Sequence, residues 1–274
     1  MSESYDVIAN IQRRRILDHL RQDKRIDGRG LLDYRPIQVN PGVIGKASGS
    51  AWVSIGKTQV LVGVKVETGT PYPDKPDAGV LTVNAELVPI ASPSFEPGPP
   101  NEDSVELARV VDRGLRESQA VDLSKLCITP GKLVFIVFVD IYILDHDGNL
   151  FDAAALASIA ALMNTTLRGY TVTDEGTIEY TDATSPLPLQ NIPVEVTVVK
   201  IGDKLLLDPN IEEEALINTQ ITIATGQNQA VCAIQKSQVG TFTLDEVHQA
   251  MEIAKNKADD IRTNVLEAIN NGAT

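Results

Sequence analysis

The chain has 274 residues, 43% hydrophobic but only 4% aromatic, with 24 Lys and Arg against 37 Asp and Glu and a formal net charge of −13. That size and apolar content predict one large domain or two small ones around an aliphatic core. The acidic balance and the scarcity of aromatic residues exclude a free-standing nucleic-acid binder of the basic or base-stacking kind, so any such grip must come from a local patch completed by a partner. Cys127 and Cys232 lie far apart in apolar contexts with no CxxC spacing and read as buried free thiols in a reducing compartment. A polar, charged start and the lack of any apolar run of about 20 residues predict a soluble, cytoplasmic protein with no signal peptide.

Residues 3–23 predict a leading helix that carries the basic run Arg13-Arg14-Arg15. That run is either a solvated face or a docking point for RNA or a neighbouring subunit. Pro36 opens an extended segment. Ala51, Val53 and Ile55 then alternate with polar residues, turn at Gly56-Lys57, and return through Val60, Val62, Val64 and Val66 as a hairpin. Leu81, Val83, Ala85 and Leu87 give a further strand, and the proline-rich 92–101 is a rigid loop leading to a helix.

That helix is Glu106-Leu-Ala-Arg-Val-Val-Asp-Arg-Gly-Leu-Arg-Glu117. At about 100° per residue, Arg109, Arg113 and Arg116 fall within roughly 60° of one another, opposite Leu107, Val111 and Leu115. The stripe has two readings. Glu106–Arg109 and Asp112–Arg116 are spaced for intrahelical ion pairs. Alternatively, the guanidinium forks are suited to gripping phosphate. Gly114 costs such a helix about 1 kcal/mol relative to Ala, which implies close packing against a neighbour.

Lys132 to Leu144 is nearly all β-branched or aromatic and predicts a strand buried on both faces, ended by a turn at Asp147-Gly148. Asp152 to Leu167 is Ala-rich and helical, stopped by Gly169. Residues 170–192 read as a polar surface excursion. A second hairpin follows, Val194 to Val198, a Gly202-Asp203 turn, then Leu205 to Leu207, with strands near 217–224 and 230–236. The last helix opens on the capping box Thr243-Leu-Asp-Glu246 and buries Val247, Met251, Ala254, Ala258, Ile261 and Val265. The two halves share an order of elements, and Val53-Ser-Ile-Gly-Lys-Thr weakly matches Val199-Lys-Ile-Gly-Asp-Lys, so the fold class is α+β, a duplicated unit sharing one core.

Two clusters could carry chemistry. Asp208 with Glu212, Glu213 and Glu214 could hold Mg²⁺ or could form a helix N-terminal turn. Asp145-His146-Asp147 resembles a ligand triplet, but Gly148-Asn149 makes it a hairpin turn first. His19 and His248 lie on predicted helices without an evident partner. No GxSxG, P-loop or GxGxxG supports serine hydrolase, P-loop NTPase or dinucleotide chemistry.

Arg25-Ile-Asp-Gly-Arg29 followed by Asp33-Tyr-Arg-Pro-Ile37, and Gly49-Ser-Ala51 with Gly56 and Thr58, resemble the N-terminal signature of the RNase PH family. Phe95-Glu-Pro-Gly-Pro-Pro100 and the arginine helix narrow the resemblance to its non-catalytic subunits in the archaeal exosome. The resemblance spans about residues 20–270. It implies an RNase PH fold with duplicated βαβα-type halves (ribosomal protein S5 domain 2-like). It divides the chain into an N-terminal helical extension, 1–24, and an RNase PH-like domain, 25–274, with halves at about 25–125 and 126–274. It also implies a heterohexameric ring, three heterodimers with a catalytic RNase PH-like subunit, together with RNA-binding cap proteins and single-stranded RNA degraded 3′→5′ by phosphate.

Where active relatives hold phosphate with a Gly-Ser-Arg triplet, this chain reads Gly148-Asn149-Leu150. Leu150 can neither hydrogen-bond nor neutralise a dianion. Where they carry an Arg-Arg pair, it reads Glu102-Asp103. Asp208 and Glu214 align with the two carboxylates of active subunits. The resemblance thus implies no catalytic residue, metal or cofactor here, and RNA contacts at Arg109, Arg113 and Arg116. The rivals are an active phosphorolytic 3′–5′ exoribonuclease using Asp208 and Glu214, a metal-dependent small-molecule enzyme using Asp145, His146 and Asp147, and a pure scaffold.

Overall fold

The computed structural model describes residues 10–173 and 178–272; residues 3–9 of the predicted leading helix lie outside them. The first sheet holds β1 (Ile37–Pro41), β2 (Gly49–Ile55), β3 (Thr58–Gly69), β4 (Val80–Leu87), β5 (Cys127–Thr129) and β6 (Leu133–Asp145). Its order is β1-β2-β3-β6-β4, with β5 paired to β6. The β2–β3 hairpin turns at Gly56, whose positive φ of 59° suits a residue without a Cβ. β4 lies parallel to β6, so the chain must cross over between them, and α2 (Glu102–Glu117) makes that crossing.

The second sheet holds β9 (Val194–Ile201), β10 (Lys204–Leu207), β11 (Thr219–Thr225) and β12 (Val231–Ser237), antiparallel in the order β10-β9-β11-β12. One turn of helix, α4 (Ile211–Glu214), links β10 to β11. The long α5 (Leu244–Gly272) follows and begins at the expected box, where Thr243 and Glu246 exchange hydrogen bonds.

Between the sheets runs α3 (Leu150–Met163), apolar on every side and therefore buried on every side. Its alanines let the strands approach closely. A Cβ at Gly49 of β2 would stand 2.6 Å from the Ala161 carbonyl oxygen. One hydrophobic cluster takes in both sheets with α2, α3 and α5. A smaller one seats Ile16 and Leu20 of α1 (Asn10–Leu20) on Val199, Ile201 and Leu206.

The structure corrects several expectations. β5 and β6, which follow residue 125 in the chain, complete the first sheet. β6 is not buried on both faces. Val137, Val139, Ile141 and Ile143 are buried, whereas Ile136, Phe138, Asp140 and Tyr142 are half covered, since α2 and α3 cover one side of the sheet. The α3 helix stops at Met163, not at Gly169. Thr166 N–H donates to the Ser48 carbonyl at 2.9 Å and draws the chain into β7 (Thr166–Val172), where Gly169 is a strand residue. The polar excursion holds a ribbon, β7 with β8 (Ile178–Pro186), paired to neither sheet. Both cysteines are free but only half-buried.

Candidate functional site

α2 is the helix that the sequence singles out. Asn101 caps it, its side chain accepting from Ser104 N–H at 2.9 Å, and Glu102 and Asp103 sit in the first turn where the helix dipole favours acids. Leu107, Val111 and Leu115 are buried, and Arg109, Arg113 and Arg116 are exposed on the opposite side. The arginines line a groove of about 630 Å³, flanked by Glu102 at one end and Gln235 of β12 on its wall.

The three cations differ in their commitments. Arg116 grips Asp112 with both Nε (3.1 Å) and Nη2 (2.6 Å), and its Nη2 also donates to the Leu81 carbonyl at 2.9 Å. Arg113 Nη1 donates to Gln235 Oε1 at 3.1 Å. Arg109 makes no ion pair or side-chain hydrogen bond among the described residues. Its expected partner Glu106 instead accepts from Ser237 Oγ at 2.6 Å. One of the two predicted intrahelical pairs therefore forms and the other does not.

A second cluster lies where α3, α4 and the N-terminal segment meet. The Asp208 carboxylate, fully buried, accepts from Arg35 Nε (2.8 Å), Arg35 Nη2 (2.7 Å), the Arg35 backbone N–H (2.8 Å), Arg29 Nη1 (2.7 Å) and Asn149 Nδ2 (2.9 Å). Burial works to raise its pKa, and the hydrogen bonds and charge of Arg35 outweigh that and hold it below the ordinary value. Arg25 forms a buried pair with Glu213 and donates to the carbonyls of Leu207 and Asp208, both at 2.8 Å. Asn210 and Glu213 form a capping box, so the acidic run does start a helix.

Glu214 turns the other way. Its Oε1 accepts from the Asn149 backbone N–H at 2.6 Å, at the N-terminus of α3. A helix N-terminus is a ready-made anion site, and here the protein's own carboxylate fills it. Burial pushes Glu214 up to about 7, against the pull of that N–H and of Arg35. Asp152, one turn into α3, is buried and pushed up to about 6 while accepting from Tyr34 Oη at 2.6 Å and Asn149 Nδ2 at 3.0 Å. Leu150 opens the helix beside them and offers no donor.

Asp145, His146 and Asp147 do not converge. The His146 ring stacks on Phe95 with centroids 5.4 Å apart, and Asp147 pairs with Arg35 at 3.3 Å. Burial and the Arg35 charge push His146 down to about 4. Among the described residues no group of three His, Cys, Asp or Glu side chains is placed to hold a metal ion. Gly114 meets the neighbour its position demanded: a Cβ there would overlap Glu195 of β9.

Reading the sequence alone missed the partners of the acidic cluster. Arg25, Arg29 and Arg35 belong to the N-terminal signature, and some 180 residues separate them from Asp208 and Glu213. The only available signal was that four acids near residue 210 need cations.

Two family models match the chain, 3′ exoribonuclease family, domain 1 over residues 33–168 and domain 2 over residues 191–257. The exosome complex component Rrp42 of Thermococcus onnurineus is 53% identical over 98% of this chain and 99% of its own length. A chain of the Archaeoglobus fulgidus exosome, solved with RNA bound to the active site, superposes with a TM-score of 0.87 at 49% identity, covering 94% of this chain and 99% of that one. A chain of an archaeal exosome core gives 0.83 at 46%, covering 95% and 98%. No helix among the described residues is long and apolar enough to cross a membrane. With two domain models in order and half of all residues shared along nearly its full length, the chain belongs to the 3′ exoribonuclease family, that of RNase PH.

Proposed function

We propose that this chain is a non-catalytic ring subunit of an archaeal exosome, working in the cytoplasm. It shapes its catalytic partner's active site and holds RNA phosphates on α2 while the partner shortens the strand 3′→5′. The ring is a trimer of heterodimers with a catalytic RNase PH-like subunit, and RNA-binding cap proteins complete it. The relatives named as exosome components support the assembly.

One observation carries the inactive role: Leu150 opens α3 where active relatives hold the attacking phosphate, so that helix N-terminus has no side-chain cation to neutralise a dianion. Asp208 is spent on Arg29 and Arg35 and has no free lone pair aimed at a reacting group. Asp208 and Glu214 are thus tied to the residues around them, Asp208 to Arg29 and Arg35 and Glu214 to Asn149.

For RNA, Arg109 and Arg113 are the principal contacts and Arg116 the third, since Arg116 must leave Asp112 to reach a phosphate. The test uses the purified chain and the reconstituted ring with unstructured RNA and inorganic phosphate. The chain alone releases no nucleoside diphosphate beyond its Asp208→Ala variant, and the ring does. Release by the native chain alone, above that variant, would overturn the inactive assignment.

A further inference from the structure

Beneath the arginine stripe lies a buried acid that the reading so far does not use. Glu195 of β9 is 5% exposed. Its Oε1 lies against the Cα of Gly114, so that only glycine fits at that turn of α2. Its Oε2 is buried and has no hydrogen-bond partner among the described residues. Beside it a small pocket of about 10 Å³, half open to solvent and of the size of one water, is lined by Val110 and Arg113 of α2, Thr222 of β11 and Gln235 of β12.

The groups facing this carboxyl are few. α2 brings Arg113 at the rim, α3 brings Asp152, β9 and β11 bring the Thr197–Thr222 hydroxyl pair at 2.9 Å, and β12 brings Gln235. Burial holds the Glu195 pKa well above the ordinary carboxylate value, and Asp152 pushes the same way. That shift favours the neutral acid, which has a proton to donate. That state has an electrostatic consequence. An ionised carboxylate this close under the stripe would cancel part of its positive potential, whereas a neutral one leaves that potential intact.

We infer that Glu195 is a positioning residue for RNA binding, seating α2 through Gly114 and steadying Arg113 through one bridging water and Gln235. The protonated Oε2 would donate a hydrogen bond to that water, the water would donate in turn toward the Gln235 and Thr222 oxygens, and Gln235 Oε1 keeps its bond from Arg113. This rests on the reading that α2 grips RNA.

The experiment measures RNA affinity of the assembled ring from neutral to alkaline pH, with native chain, Glu195→Gln and Arg113→Ala. Glu195→Gln keeps the shape and the donor but cannot ionise. Native affinity should fall as pH rises, by about tenfold for each unit by which bound RNA raises the acid's pKa. Glu195→Gln should match native at neutral pH and stay flat. A Glu195→Gln profile that falls like native, with Arg113→Ala still weakening binding, would overturn the inference and leave the arginine helix standing. If Arg113→Ala has no effect at any pH, the arginine helix itself is misread, and this inference falls with it. An infrared difference spectrum, native minus Glu195→Gln, adds a readout free of RNA. A protonated-carboxyl band at neutral pH is expected, and its absence would also overturn the assignment.

Discussion

Asp208 accepts from two arginines, a backbone N–H and an amide, and buried Arg35 loses three hydrogen bonds and its main counter-charge if the carboxylate goes. Removing one partner of a buried ion pair costs about 3–5 kcal/mol, so Asp208→Ala should lower the urea-unfolding stability of the purified chain by about that much. A change within 1 kcal/mol would mean that the carboxylate is not a structural clamp. Glu214 makes a prediction of the opposite kind. Its pKa moves from 4.5 to about 7 on folding, so the folded state holds the proton more tightly. Its contribution to stability is complete below about pH 4.5 and is lost as pH rises through about 7. Glu214→Gln keeps an acceptor for Asn149 N–H and removes the titration. Between pH 4.5 and 8 the unfolding midpoint of the native chain should therefore fall relative to that of Glu214→Gln, and parallel curves would refute the assignment.

At the scale of elements, α2 is the part to perturb. Its arginines have no aromatic or amide side chain arranged to read base edges, apart from Gln235, which is already bonded to Arg113. Binding should then depend on backbone charge and not on sequence. Arg113→Ala in the ring should weaken unrelated RNAs alike and flatten the log–log salt slope by about 0.7, the share of one phosphate on a single strand. An unchanged slope would assign the residue to packing. Much of this element was legible beforehand: the stripe, the buried face and the need for a small residue at 114 follow from helical spacing. So do both main hairpins and the α5 face, because alternation and capping are local signals. The end of α3 was not legible, since Thr165 to Leu167 leave the helix only because Ser48, more than a hundred residues earlier, offers a carbonyl. Nor was the β7–β8 ribbon, whose exposed strands lack the apolar alternation that burial imposes. The arginine partners of Asp208 escaped for the same reason as the end of α3: pairing across the whole chain leaves no spacing to read.

At the scale of the whole molecule, both sheets, α2, α3 and α5 share one core, and the half-covered face of the first sheet still presents Ile136, Phe138 and Tyr142. Apolar surface left at that level on a large sheet marks a docking face more often than bare surface. Mixed with a catalytic RNase PH-like subunit, the chain should form a hexamer at equal stoichiometry, read by mass measurement. A species near the chain's own 29.6 kDa that ignores the partner at micromolar concentration would count against the ring.

The carboxylate parked on the α3 N-terminus also bears on what a single substitution can do. A reverse substitution at one position, Leu150→Arg, would bring a guanidinium to a place where Glu214 already satisfies the helix and Asp147 and Asp208 already hold Arg35. The new cation would be drawn into that network and would leave no opening for an incoming anion. Leu150→Arg alone should therefore give no phosphate-dependent RNA shortening by the purified chain, because Asp208 and Glu214 stay tied to the residues around them.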